Sequence, residues 1–251
     1  MSPDRRSVVA RHSPEAERYF TGKHHILDGY FRTELHRRAR SQGGLIRVSF
    51  AQQIAITDYR GRSLLIIDPK TKPPEYIPIG GATHLAPEGR MELTNLFAAS
   101  KFDDTELEMR FWMPPGNSEA LIRWFREDRL REPTPDLELF EEVTEETGLL
   151  DRKDLKLRNF GQRVRFFFTV KQRPQGWTFT GAEVIPLYLP GPVMGKLERQ
   201  AEEENPTVIF ADPDEIADGH TRTTRFVIPR MAICLIEPNR VNLHRESEAM
   251  I

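Results

Sequence analysis

The stretch LELFEEVTEETGLL, residues 137–150, carries five glutamates and no lysine or arginine. At 100° per residue, Leu137, Leu139, Phe140, Val143, Thr144 and Thr147 fall on one side of a helix. Glu138, Glu141, Glu142, Glu145 and Glu146 fall on the other. Thr134 or Asp136 can cap the start and Gly148 the end, so the pattern predicts an amphipathic helix. The charge works against it. The pairs 138/142, 141/145 and 142/146 are like-charged at i,i+4 and each costs a few tenths of a kcal/mol. Glu145 and Glu146 also sit at the end where the helix dipole disfavours anions. Two explanations fit. The acids form a solvated face, or they bind a hard divalent cation, Mg²⁺ or Mn²⁺, which takes oxygen ligands. Glu142, Glu145 and Glu146, spaced i, i+3 and i+4, are the residues able to converge on such an ion.

The rest of the chain alternates strands and helices. Residues 24–40 read as a helix that Gly43-Gly44 can end, with Arg37, Arg38 and Arg40 at its C-terminus, where the dipole favours cations. A phosphate-contacting patch is the other reading of those arginines. Short apolar, β-branched runs follow in LIRVSFAQQIAI and SLLIIDP. EYIPIGGATH reads as a strand entering a glycine turn, and ELEMRFWMPP (106–115) as a strand stopped by two prolines. SEALIRWFRED (118–128) reads as a helix capped by Ser118, with Leu121, Trp124 and Phe125 buried. Strands are expected at 160–170, 181–190 and 207–216. Residues 225–236 read equally as strand or helix. This alternation implies a layered α/β domain over about residues 45–238.

Composition narrows the function classes. A chain of 251 residues can bury a substantial core. The formal net charge of −2 gives no strong pull toward nucleic acid or an anionic membrane. A single cysteine, Cys234, excludes an intramolecular disulfide and a multi-cysteine zinc site and suits a reducing cytoplasm. No run of about 18 apolar residues is present, so no membrane span is expected. The N-terminus lacks an apolar signal core. No Walker A motif, Rossmann glycine fingerprint or serine-nucleophile motif occurs.

The order of residues in TPDLELFEEVTEETGLL resembles the Nudix box. That pattern is Gly, five residues, Glu, seven residues, then Arg-Glu-aliphatic-any-Glu-Glu-any-Gly-aliphatic. Residues 141–149 agree with its second half at eight of nine positions. Glu141 stands where the family has the arginine that orients the metal-binding glutamates. Pro133 stands at the first glutamate, with Glu132 beside it, and Glu127 at the glycine. The Gly80-Gly81 of YIPIGGATH is similar to the Gly-Gly segment that precedes the box in this family, displaced well upstream by an insertion. With the RFW strand and WFREDRLRE, the chain looks like the SMODS-associated NUDIX group of bacterial anti-phage systems built on nucleotide second messengers.

The resemblance implies a Nudix-like α/β/α sandwich with a mixed sheet over residues 43–238, an insertion at about 82–130, an N-terminal helical extension (1–42) and a polar tail (239–251). It implies Mg²⁺ or Mn²⁺ held by Glu142, Glu145 and Glu146, with Glu145 or Glu146 as the base. The activity implied is hydrolysis of a phosphoanhydride in a nucleoside diphosphate derivative. The alternative is a non-catalytic module that senses a nucleotide or cyclic oligonucleotide. The ligand is a nucleotide or nucleotide-derived small molecule, and partners are proteins of an anti-phage operon.

Other candidates come from the residues themselves. Alternation in QRVRFFFTV puts Arg163, Arg165 and Phe167 on one face, able to hold phosphates and stack a base, or to form an ordinary exposed strand face. Arg110 is a similar candidate. Gly80 and Gly81 would let backbone approach phosphate, or form a plain turn. Glu202, Glu203 and Glu204 could supply an outside base or form a solvated loop. His24, His25, His84 and His220 lack metal-ligand spacing, and Trp112, Trp124 and Trp177 read as core.

Overall fold

A computed structural model of the chain describes residues 29–68, 70–71, 74–103, 108–127, 130–131, 135–162, 165–203, 206–222 and 226–236. The chain forms two compact units, divided within β1 (Ile46–Ala55), β7 (Arg165–Arg173) and β8 (Gly176–Tyr188). The predicted polar tail, His24, His25, Thr134, Arg163 and Glu204 lie outside the described residues.

The first unit is Met1–Phe50, His84–Arg131 and Phe167–Gly181. α1 (Gly29–Arg40) ends as predicted before Gly43 and Gly44, which take positive φ of 77° and 90°. Two of its terminal arginines pair within the helix. Arg37 and Arg38 both pair with Glu34, at 2.6 and 2.5 Å. The two guanidiniums hold the Glu34 carboxyl below its ordinary range, the hydrogen bond from Arg37 being the largest cause.

β5 (Arg110–Met113) pairs antiparallel with residues 46–49 of β1 and is shorter than predicted. α2 (Pro87–Phe97) was not anticipated, although Pro87 at its first turn is a helix-start signal. α3 (Ser118–Arg126) buries Leu121, Ile122, Trp124 and Phe125. Ser118 is not its cap. A 3₁₀ turn, Pro115–Asn117, runs straight into the helix, so Ser118 is already helical and its hydroxyl donates back to the Pro115 carbonyl at 2.7 Å. The core is aromatic: the Phe50 ring meets Phe125, Phe179 and Phe168 at centroid distances of 4.6, 5.3 and 5.6 Å.

The second unit is Ala51–Thr83, Glu132–Phe166 and Ala182–Ile251. β2 (Ser63–Asp68) lies between β3 (Glu75–Ile77) and β9 (Val208–Ala211), antiparallel to both. A parallel bridge between Glu75 and Val227 makes the pairing mixed. β4 (Ile79–Ala82) pairs antiparallel with residues 51–54 of β1. The Gly80-Gly81 pair is therefore inside a strand, where a turn was the expectation. The register explains the glycine: a Cβ on Gly80 would lie 2.1 Å from the Gln52 carbonyl oxygen, and φ there is 136°.

β6 (Asn159–Phe160) pairs with the end of β8. α5 (Gly191–Ala201), unanticipated, and α6 (Pro213–Asp218) each start with proline in the first turn. Residues 230–235, left open between strand and helix, form a 3₁₀ turn. The core here is aliphatic. Ile54, Ile56, Leu64 and Ile79 pack with Leu139 and Val143 of the acidic helix and with Leu149, Leu150 and Leu155 beyond it.

Candidate functional site

The acidic helix has two parts. α4 (Asp136–Phe140) is α-helical, and Glu141–Glu146 is a π-helical turn. Pro135 supplies the first acceptor, its carbonyl taking the Leu139 amide at 2.9 Å. Asp136 is already the first helical residue, and its carboxylate is bound by Arg158 at 2.5 Å. The π widening has a visible cause. The Thr147 amide and hydroxyl both donate to the Glu142 carbonyl, at 3.2 and 2.6 Å, closing an i→i+5 loop. Gly148 then leaves with φ 63°.

This winding redirects the carboxylates. Residues three and four apart share a face of an α-helix, but i→i+5 bonding puts less rotation between successive residues. Glu145 thereby swings away from Glu142. Glu142 accepts the Gly80 amide at 2.8 Å, joining this helix to β4. Glu146 takes the Lys70 ammonium at 3.2 Å, which raises the lysine's pKa through that hydrogen bond and charge. Glu145, largely exposed, faces Arg152 at 3.1 Å. Among the described residues, no three His, Cys, Asp or Glu side chains gather as a group able to hold a metal.

The glycine strand has a buried polar neighbourhood that sequence reading missed. Gln52, opposite Gly81, donates to the Glu183 carboxylate at 2.7 Å, and Glu183 is fully buried on β8. Gln53, opposite Gly80, is buried, and among the described residues its Oε1 has no hydrogen-bond partner. Glu183 had a weak signal, as one acid inside the apolar run GAEVIPLYL. Lys70 and Arg152 had none, because loop cations are common.

The other candidates are dispersed. Arg165 and Phe167 lie on β7 on either side of the division between units, and only their backbone is described. Arg110 pairs with Glu108 at 2.6 Å. Glu202 and Glu203 line a cavity of about 420 Å³ with Arg60, Arg62 and Asp212, and no residue of the acidic helix lines it. His84 and His220 each form an isolated β-bridge, and Trp124 is buried in the first core.

The model of the SMODS-associated NUDIX domain family matches residues 45–233. The chain belongs to that family. No curated protein and no solved structure matches it. The mixed α/β fold is accordingly Nudix-like, and the chain is a Nudix-type hydrolase or a related module. Members of the Nudix superfamily generally use a divalent metal. The chemistry of Glu142, Glu145 and Glu146 suits such an ion, but among the described residues they do not gather as one group, and each carboxylate takes a different donor. No helix among the described residues is long and apolar enough to cross a membrane.

Proposed function

We propose that this Nudix domain recognises a nucleotide-derived small molecule, a nucleoside diphosphate derivative or a cyclic oligonucleotide, at the seam between the acidic helix and the glycine strand. The observation that supports this most directly is the hydrogen bond from Gly80 to Glu142. It joins the two segments by which the family is known, the box helix and the Gly-Gly strand. Recognition without turnover is the leading reading. It is favoured by Glu141 at the family's arginine position and by the separation of the three box carboxylates.

Mg²⁺- or Mn²⁺-dependent hydrolysis of a phosphoanhydride is the second reading, favoured by the eight of nine box positions that are kept. The setting in both is a cytoplasmic bacterial anti-phage system, with partner proteins from the same operon. That setting rests on the family alone.

The test is to offer purified protein, with and without Mg²⁺ or Mn²⁺, a panel of ADP-ribose, NAD, dinucleoside polyphosphates, NTPs and cyclic oligonucleotides. Binding without products, unchanged in Glu145→Gln and Glu146→Gln, is the expected result. Products that disappear in those variants would establish hydrolysis instead. Absence of both binding and products would overturn the proposal.

A further inference from the structure

Among the described residues, Glu183 is the most deeply buried carboxylate, at 0% exposure. It stands on β8 next to Val184 and Ile185, which are buried as well. A carboxylate inside a protein is costly unless hydrogen bonds satisfy it. A residue of that cost calls for a reason, and aliphatic packing supplies none.

Its partner supplies one. β1 lies between β4 and β8 in the sheet. From β1 the Gln52 side chain donates to Glu183 at 2.7 Å, a charge-assisted bond between buried groups. The Gln52 backbone abuts Gly80 on the other side. A Cβ at Gly80 would collide with the Gln52 carbonyl oxygen and the Gln53 Cα, so β4 rests on β1 with no room for a side chain. Gly80 in turn donates its amide to Glu142 at 2.8 Å. The contacts therefore run from Glu183 to Gln52, Gly80 and Glu142, all within the second unit. Close-packed contacts of this kind transmit displacement.

We infer that Glu183 is a positioning residue for the seam. From inside the sheet it fixes Gln52, and Gln52 fixes where Gly80 presents its amide to the acidic helix. Removing the acceptor at 183 lets the Gln52 side chain turn elsewhere and β1 shift against Gly80. The value of this placement for a ligand rests on the function proposed above; the placement itself does not.

Amide hydrogen exchange by NMR on the full chain, without ligand, tests it. Glu183→Met keeps the side-chain length and loses the acceptor. It should speed exchange of the Gly80 amide by about tenfold, while amides of β2 and β9 keep their parent rates. Glu183→Gln, whose side-chain oxygen can accept the same bond, should return Gly80 to within about twofold of the parent. A merely structural role would instead accelerate β2 and β9 together with Gly80. That outcome, an unchanged Gly80 amide in Glu183→Met, or Glu183→Gln exchanging as fast as Glu183→Met would each overturn the assignment. Should Glu183→Met fail to fold, the Gln52 side-chain amide protons of the parent decide: slow exchange supports the bond, and exchange at the rate of a free carboxamide overturns it. A responsive Gly80 amide with no ligand bound from the nucleotide panel would sink the proposed function and leave the positioning role standing.

Discussion

The two units solve the burial problem differently. The first is held by rings: Phe50 is surrounded by Phe125, Phe168 and Phe179, and its charged residues are spent on each other, as in Glu34 with Arg37 and Arg38 or Arg47 with Asp103. The second is held by aliphatic side chains around Leu139 and Val143, and its acidic helix turns charge outward from that core. Aromatic edge contacts have directional geometry and add to area burial. Aliphatic packing has no such directionality.

The largest expected effect is at Phe50. Phe50→Ala should cost about 3–5 kcal/mol in urea unfolding. Hydrogen exchange should then show amides of residues 84–131 losing protection before those of 139–150. Equal loss in both would merge the two cores into one cooperative body and remove the contrast.

Gly80→Ala comes next, at about 3 kcal/mol, because a Cβ meets backbone and φ is positive. Gly43→Ala, with positive φ but open space around it, should cost about 1 kcal/mol. Equal costs in the two variants would show that crowding against Gln52 contributes nothing.

A smaller effect concerns pH. Glu34 titrates below its ordinary value in the folded chain, so its stabilisation is present above the ordinary carboxylate pKa. It is lost as pH falls through the lowered value. Unfolding midpoints at pH 7 and in the acid range should converge for Glu34→Gln and parent as the pH drops. A gap that persists in acid would contradict this.

The smallest effect is at Lys70. Its pKa is raised by Glu146, so Glu146→Gln should increase its acylation rate at mildly alkaline pH, read by peptide mass mapping. An unchanged rate would mean that the pair does not persist in solution.

Much was legible because it is local. The acidic helix, α1 with its Gly43-Gly44 stop, α3 and most strands follow from periodicity and glycine or proline punctuation within a few residues. The ends of these elements were less legible. Ser118 looked like a cap because serine is a good one, yet a preceding 3₁₀ turn had already made it helical. Gly80-Gly81 looked like a turn because glycine pairs usually mark one. Only the ladder to Gln52 and Gln53 makes it a strand. α2 and α5, each opened by a proline in its first turn, went unread.

By itself the sequence determined the family, the α/β class and the amphipathic helix that carries five glutamates, since order and spacing along the chain are sufficient for each. Where those carboxylates point was a tertiary decision. Thr147 bonding back to Glu142 is a local widening of the turn, but sheet register brought the Gly80 amide to Glu142 across the sequence. Lys70 and Arg152 then reached Glu146 and Glu145 from loops. A hydrogen bond needs donor and acceptor within about 3 Å, and for Gly80 with Glu142 and Lys70 with Glu146 that approach is set by the packed chain, not by neighbours in sequence.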